Sequence, residues 1–509
     1  GSEDCRRGAG AGCSSGMAMA HWEIQGWMIL ILGWVFVPFY SRSMVYTMPE
    51  FLERRYNPQS RTILSVISLV SYVLTKVAVT VYAGGLVFQQ VFGIKELWGI
   101  DFFWIAAIGL VVLTALYTIF GGMKSVLYTS VLQTPILLLG SLIILVLGFK
   151  ELGGWDEMMR VCGAVTVNDY GDTMTNLIRS NDDANFPWLG ALIGSAIIGF
   201  WYWCTDQFIV QRVLSGKNEK EARRGTIFGA YLKLLPVFLF LIPGMIAFAL
   251  HQKYIGAGGE GFLPMLANGT ANADAAFPTL VAKLLPAGVK GLVVCGILAA
   301  LMSSLASLFN SSAMLFTIDF YKRFRPETPE KKLVGIGQIA TVVIVILGIL
   351  WIPIMRSVGD VLYTYLQDVQ SVLAPGIAAA FLLGICWKRT SAQGGMWGLI
   401  AGMIIGLTRL GAKVYYSNAG EVADSTFKYL FYDMNWLFFC GWMFLFCIIV
   451  VIVVSLATEA PTAEKIQGLV FGTATKEQKA ATRASWDHWD IIHTVIILAI
   501  TGAFYWYFW

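Results

Sequence analysis

The stretch Gly199-Phe-Trp-Tyr-Trp-Cys-Thr-Asp-Gln-Phe-Ile-Val-Gln-Arg212 decides the fold. It begins deep inside an apolar segment that opens near Pro187. A spanning helix needs about 20 mostly apolar residues, so this polar and aromatic cluster lies within a span or at its inner half. An acid at that depth costs ~2.5–3.5 kcal/mol on insertion scales, and such residues mark a cavity, an ion path or a solute site. Two readings of Asp206 and Gln207 stay open. They line such a site, or they form a helix end that reaches the cytoplasmic interface beside Arg212. Trp201, Tyr202 and Trp203 face nearly all round the helix and read as a pocket wall.

Working outward, the whole chain is apolar. Of 509 residues, 57% are hydrophobic and only 13% charged, which defines a polytopic membrane protein. The 18 Trp, 20 Tyr and 32 Phe suit interfacial belts and a pocket for ring-shaped solutes. A formal charge of +4 belongs to cytoplasmic loops and excludes a nucleic-acid surface. The eight Cys have no metal spacing; most lie in apolar spans, and Cys162 alone sits in a long loop.

Apolar spans cover 8–20, 22–40, 62–91, 102–119, 126–149, 187–210, 226–250, 289–316, 333–353, 361–387, 396–415, 436–456 and 491–508. Lys and Arg concentrate in alternate loops, which marks the cytoplasmic side; the Asp-rich loop at about 150–186 falls outside. Residues 458–490 form a charged cytoplasmic connector. Two segments are interrupted by glycine: 1–16, with Gly8, Gly10, Gly12 and Gly16, and the stretch near Gly199. Five spans separate their starts. If each opens a repeat of five helices, the core is a five-plus-five inverted repeat, with the solute held at the broken helices near the midplane. The same glycines also suit close helix packing.

Several polar residues fall within spans. Glu23 opens the second, Lys76 lies in the third, Lys233 in the seventh, and Gln367 with Asp368 in the tenth. Glu23, Lys233 and Gln367 together suit a polyol, because carboxylate, ammonium and amide accept, donate and do both. A structural ion pair is the other reading of Glu23 and Lys233, and it is the preferred one for Lys76. Ala300, Ser303 and Ser304 stand at i, i+3 and i+4 on one helix face. Their oxygens suit a hard cation such as Na⁺, unless the hydroxyls bond back to the preceding turn. No catalytic or ATP-binding motif is present, so the chain does not read as an enzyme, and an ion gradient or the solute's own gradient supplies the energy.

At this point the residues resemble the sodium/solute symporter family, in its sodium–glucose, galactose and inositol cotransporter branch. The likeness rests on Tyr46-Thr-Met-Pro-Glu-Phe-Leu-Glu-Arg-Arg55, Trp201-Tyr-Trp-Cys-Thr-Asp-Gln207 with Ile209-Val-Gln-Arg212, Tyr231-Leu-Lys233, Ala299-Ala-Leu-Met-Ser-Ser304, Phe309-Asn-Ser311 and Phe316-Thr-Ile-Asp-Phe-Tyr321. Leu373-Ala-Pro375 and Trp387-Lys-Arg389 extend it over nearly the whole chain.

The resemblance implies an all-α inverted-repeat core over 1–387, with repeats at about 1–150 and 187–387, and about three further helices in 388–509. It implies that Glu23, Lys233 and Gln367 contact sugar hydroxyls. Tyr202 matches an inner gate flanked by Trp201 and Trp203, and Tyr363 matches an outer gate. Ala300, Ser303 and Ser304 match a Na⁺ site.

There are departures from the family pattern. The chain starts at the first break, so the helix before it and the first half of the first core helix are expected to be missing. Asp4 stands where the branch has a sugar-contacting His or Gln, followed by Cys5-Arg6-Arg7. Gly199 and Ser130 replace a sugar contact and a coupling acid. The expectation is a Na⁺-driven importer of glucose or galactose, working by alternating access with one Na⁺ per sugar, without an organic cofactor. It would act as a monomer in the plasma membrane, or in the inner membrane of a bacterium. An uncoupled sugar sensor or leak protein, or a symporter of inositol or another organic solute, is the alternative.

Overall fold

The computed structural model describes residues 11–509 except 44, 46, 267–268, 270, 359–361 and 419–423. Side chains are described for these residues apart from 11–12, 117, 119–130, 132–133, 354–358, 362–365 and 418. The expectations for Asp4 and for Cys5-Arg6-Arg7 therefore lie outside the described residues. Those for Tyr363 and Ser130 lie outside the described side chains.

Among the described residues the regular structure is helical apart from one hairpin and two isolated bridges. Its main helices are α1 (Gly16–Ser43), α2 (Met48–Arg55), α3 (Pro58–Phe92), α4 (Phe102–Leu152), α5 (Trp155–Gly163), α6 (Trp188–Thr205), α7 (Gln207–Leu214) and α8 (Glu219–Gly256). They continue with α9 (Ala276–Leu284), α10 (Ala287–Phe324), α11 (Glu330–Val358), α12 (Leu362–Cys386), α13 (Ala392–Asn418), α14 (Trp436–Ala457), α15 (Lys476–Ala484) and α16 (His488–Tyr507). The hairpin pairs β1 (Glu96–Leu97) with β2 (Ile100–Asp101) through Trp98-Gly99, both at positive φ. Among the described residues, 11 helices are long and apolar enough to cross a membrane.

One expected connection is not formed. Spans were expected over 102–119 and 126–149, yet α4 runs unbroken for 51 residues. At 1.5 Å per residue that is about 77 Å, far beyond the ~30 Å hydrocarbon thickness. Gly121-Gly122 and Lys124 favour a loop, but none of them prevents an i→i−4 ladder, and the first proline is Pro135. The two apolar halves keep separate partners. Phe103 and Leu110 pack at Gly85 and Gly84 of α3, while Gly140 meets Val293 of α10.

Breaks in the other helices place the polar residues. Gly16 has φ +55, and a Cβ there would lie 2.1 Å from the Met174 carbonyl, so the chain turns sharply against the outer loop. That loop braces α1. Met17 donates its backbone N–H to the Met174 carbonyl at 2.8 Å, and Arg179 bonds the Ser15 carbonyl. His21 bridges Tyr505 of α16 and the Leu177 carbonyl. A second break follows at Ile24–Gln25, directly after Glu23. Wider π-helical turns interrupt α1 at Leu32–Phe36, α3 at Tyr72–Val77, α6 at Phe200–Thr205, α8 at Val237–Leu241 and α10 at Leu315–Tyr321.

Candidate functional site

The site is built on the π turn Phe200–Thr205. A π turn carries an extra residue, and here it sets Trp201, Tyr202 and Trp203 fanwise. Trp201 is buried, with its ring edge-on to Tyr202 at 6.3 Å. Tyr202 and Trp203 are half-buried and meet edge-on at 5.0 Å. The turn is held from outside the helix, since the Tyr40 hydroxyl donates to the Cys204 carbonyl at 2.5 Å.

Above this turn, Lys233 Nζ donates to Glu23 Oε2 at 2.7 Å. The two side chains keep 16% and 18% exposure, and the Trp203 ring lies 5.6 Å from the ammonium. The structure thus brings Glu23, Lys233 and Trp203 together. They come from α1, α8 and α6, and form a charged, partly accessible wall. Gln367 sits on α12, which packs against the same π turn. Its Oε1 is buried without a hydrogen-bond partner.

Below the turn, Lys76 pairs with Asp206 in a site almost closed to solvent. The Tyr72 hydroxyl donates to Asp206 Oδ1 at 2.9 Å, as does the Phe208 backbone N–H at 3.0 Å. Rings of Tyr72, Tyr202 and Phe208 surround the ammonium at 4.6, 5.1 and 4.4 Å. Asp206 therefore caps α7 and completes a buried ion pair, which is the structural reading preferred for Lys76. Gln207 Oε1 accepts the Met48 N–H at 2.8 Å, Gln211 bonds Ser311 at 2.5 Å, and Arg212 bonds Ser307. The polar half of the opening stretch is a clamp of α7 onto α2, α3 and α10.

The candidate ion ligands lie on α10. Ser303 is buried, Ser304 is exposed, and Ala300 is half-buried. The Ser303 carbonyl already accepts the Ser307 hydroxyl at 2.9 Å. Sequence reasoning did not pick out Gln25, Ser307 or the Lys413–Asp368 contact between α13 and α12. Spacing signals none of the three, because each joins separate helices.

Helices of this kind, broken at paired positions around a polar centre, define a secondary transporter. The fold matches the substrate-bound, outward-open structure of a Na⁺-coupled sialic acid symporter, with TM-score 0.66, 21% identity, and 87% and 84% of the two chains covered. It also matches a nucleobase-cation-symport-1 family transporter in a closed conformation with bromovinylhydantoin bound, with TM-score 0.51, 11% identity, and coverage of 91% and 90%.

The family model described as the sodium:solute symporter family matches residues 7–402, and the chain belongs to that family. It is 35% identical over 478 residues to the sodium/myo-inositol cotransporter 2 of Homo sapiens, covering 91% of this chain and 70% of the relative. It is 36% identical over 504 residues to a sodium/mannose cotransporter of Bos taurus, covering 95% and 83%. To the sodium/glucose cotransporter 4 of Danio rerio it is 34% identical over 496 residues, covering 94% and 74%. The protein is a multi-pass, sodium-coupled solute symporter, and Na⁺ is its co-transported ion.

Proposed function

We propose that this symporter imports a neutral ring polyol, a monosaccharide or a cyclitol, across the plasma membrane by alternating access. One observation carries the reading. Lys233 and Glu23 meet at 2.7 Å beside Trp203, yet both stay partly accessible. An ammonium and a carboxylate together donate to and accept from vicinal hydroxyls, and the carboxylate repels anionic solutes. Gln367, with a buried and unpartnered Oε1, would supply an amide from α12. Tyr202 closes the site from below, and Tyr363 would close it from above. Ala300, Ser303 and Ser304 would hold one Na⁺ per solute. The membrane potential then contributes ~2.3 kcal/mol per charge per 100 mV to uptake. Residues 1–387 would form the transport core and 388–509 the added helices, with the monomer as the working unit.

Glucose and galactose fit this site, and the names of the relatives put myo-inositol and mannose beside them. The test is uptake of labelled glucose, galactose, mannose and myo-inositol into proteoliposomes, with and without an inward Na⁺ gradient. Sodium-dependent uptake that falls about a hundredfold in Lys233→Ala supports the reading. Uptake unchanged by that substitution overturns it. A sodium Hill slope near two would refute the single-ion stoichiometry.

A further inference from the structure

Gly199 is not a glycine because of its backbone. Its φ and ψ are −62° and −41°, ordinary helical values that every residue adopts. Its lack of a side chain leaves room for another residue. A Cβ at position 199 would lie 2.6 Å from Gln25 Oε1, 3.0 Å from Cδ and 3.2 Å from Nε2. The Gln25 carboxamide therefore fills the volume that any side chain at 199 would take. Its Nε2 is tied to the Ser195 carbonyl, one turn earlier on α6, at 2.9 Å.

Gln25 starts from the break in α1, two residues after Glu23, where the chain leaves helical geometry with ψ 25°. It ends on α6, four residues before Trp203, whose ring faces Lys233. Its head group thus bridges α1, which carries Glu23, to α6, which carries Trp203. With one N–H given to Ser195, a carboxamide retains a second N–H and an acceptor oxygen. Among the described residues no protein donor reaches that oxygen.

We infer that Gln25, its carboxamide seated in the space that Gly199 leaves and two residues from Glu23, is a specificity-determining residue whose Oε1 accepts from a hydroxyl of the ring polyol. This rests on the site reading given above. With one N–H of Nε2 given to Ser195, the Oε1 acceptor needs an O–H donor, so it distinguishes a ring hydroxyl from a ring ether oxygen, which only accepts. A site built to bond a hydroxyl rejects analogues that lack it.

The experiment compares kcat/KM for myo-inositol and glucose in proteoliposomes of the full chain, per molecule of reconstituted protein. The variants are Gln25→Ala, Gly199→Ala and the double variant. Gln25→Ala is expected to change the ratio of the two kcat/KM values about tenfold, with sodium half-saturation within about twofold of wild type. Gly199→Ala, which adds only the Cβ that displaces the amide, is expected to shift the ratio in the same direction. The double variant is expected to add nothing further, because both changes remove one contact. Gln25→Asn, one methylene shorter, gives a smaller shift and serves if Gln25→Ala does not fold.

Equal loss for both solutes, or additive effects in the double variant, overturns the inference. Lys233→Ala separates the two failures. If it abolishes uptake while Gln25→Ala keeps the ratio, only this inference fails. If it leaves uptake intact, the site reading fails and takes this inference with it.

Discussion

Two ion pairs of the same chemistry lie on either side of one π turn. Glu23 and Lys233 keep 18% and 16% exposure, whereas Asp206 and Lys76 keep 3% and 9%. Consecutive residues of the turn serve different pairs, with Trp203 beside Lys233 and Tyr202 beside Lys76. Both lysines stand within apolar helices, and composition alone does not tell them apart. Access does. A pair open to water exchanges its partner for a solute hydroxyl at little cost. A pair closed by three rings and two further hydrogen bonds holds helices together and has nothing to exchange.

The sharpest way to break this contrast is to remove one charge from the closed pair. Asp206→Ala leaves the Lys76 ammonium buried alone and is expected to destabilise the protein by about 3–5 kcal/mol. Thermal melting in detergent checks this. The double variant Lys76→Met/Asp206→Leu is expected to recover part of that loss, because it removes the orphaned charge while Tyr72 and the α7 N-terminus still lose their acceptor. In the open pair, Glu23→Gln is expected to lower uptake about tenfold to a hundredfold while melting stays near wild type. Equal loss of stability in both pairs would erase the distinction.

Tyr202 sharpens the comparison further. Tyr202→Phe keeps the ring over Lys76 and is expected to change stability by less than ~0.5 kcal/mol. Tyr202→Ala removes it, at about 1–2 kcal/mol. Ser303→Ala, away from both pairs, is expected to raise sodium half-saturation about tenfold and leave melting unchanged. The smallest effect concerns Cys162. It is buried in α5 outside the spans, and burial pushes its thiol up to about 12. At pH 7 to 8 the thiolate fraction is then far too small for reaction. Maleimide labelling of Cys162 is expected to be negligible in the folded protein and rapid after denaturation.

Much of the fold was legible because bilayer thickness forces long apolar runs, and those runs match the helices found. The fusion of 102–119 with 126–149 was not, since Gly121-Gly122 and Lys124 weaken a helix without forbidding it. Glu23 and Lys233 were legible as intramembrane charges, and their meeting fits either reading given to them. That Lys76 belongs to Asp206, a residue 130 positions away, is a tertiary fact with no local signal. Gln25 was missed for the opposite reason. It looks like an ordinary polar residue near a span end, and only the space at Gly199 reveals what it reaches. A glycine inside an apolar helix with no turn to make is the clue that could have found it.

The π turns carry a consequence for lineage. Each holds one residue more than an α-helical turn, and among the described residues four lie on the helices that supply Glu23, Lys76, Trp203 and Lys233. Deleting a single residue there would restore a regular helix and leave the flanking turns facing as they do, because the wide turn alone absorbs the extra residue. Alignments of distant relatives are thus expected to show one-residue gaps at 32–36, 72–77, 200–205 and 237–241. Descendants that closed such a gap would keep the flanking side chains in place and re-aim only the residues of the turn itself, on the same scaffold and in one mutational step.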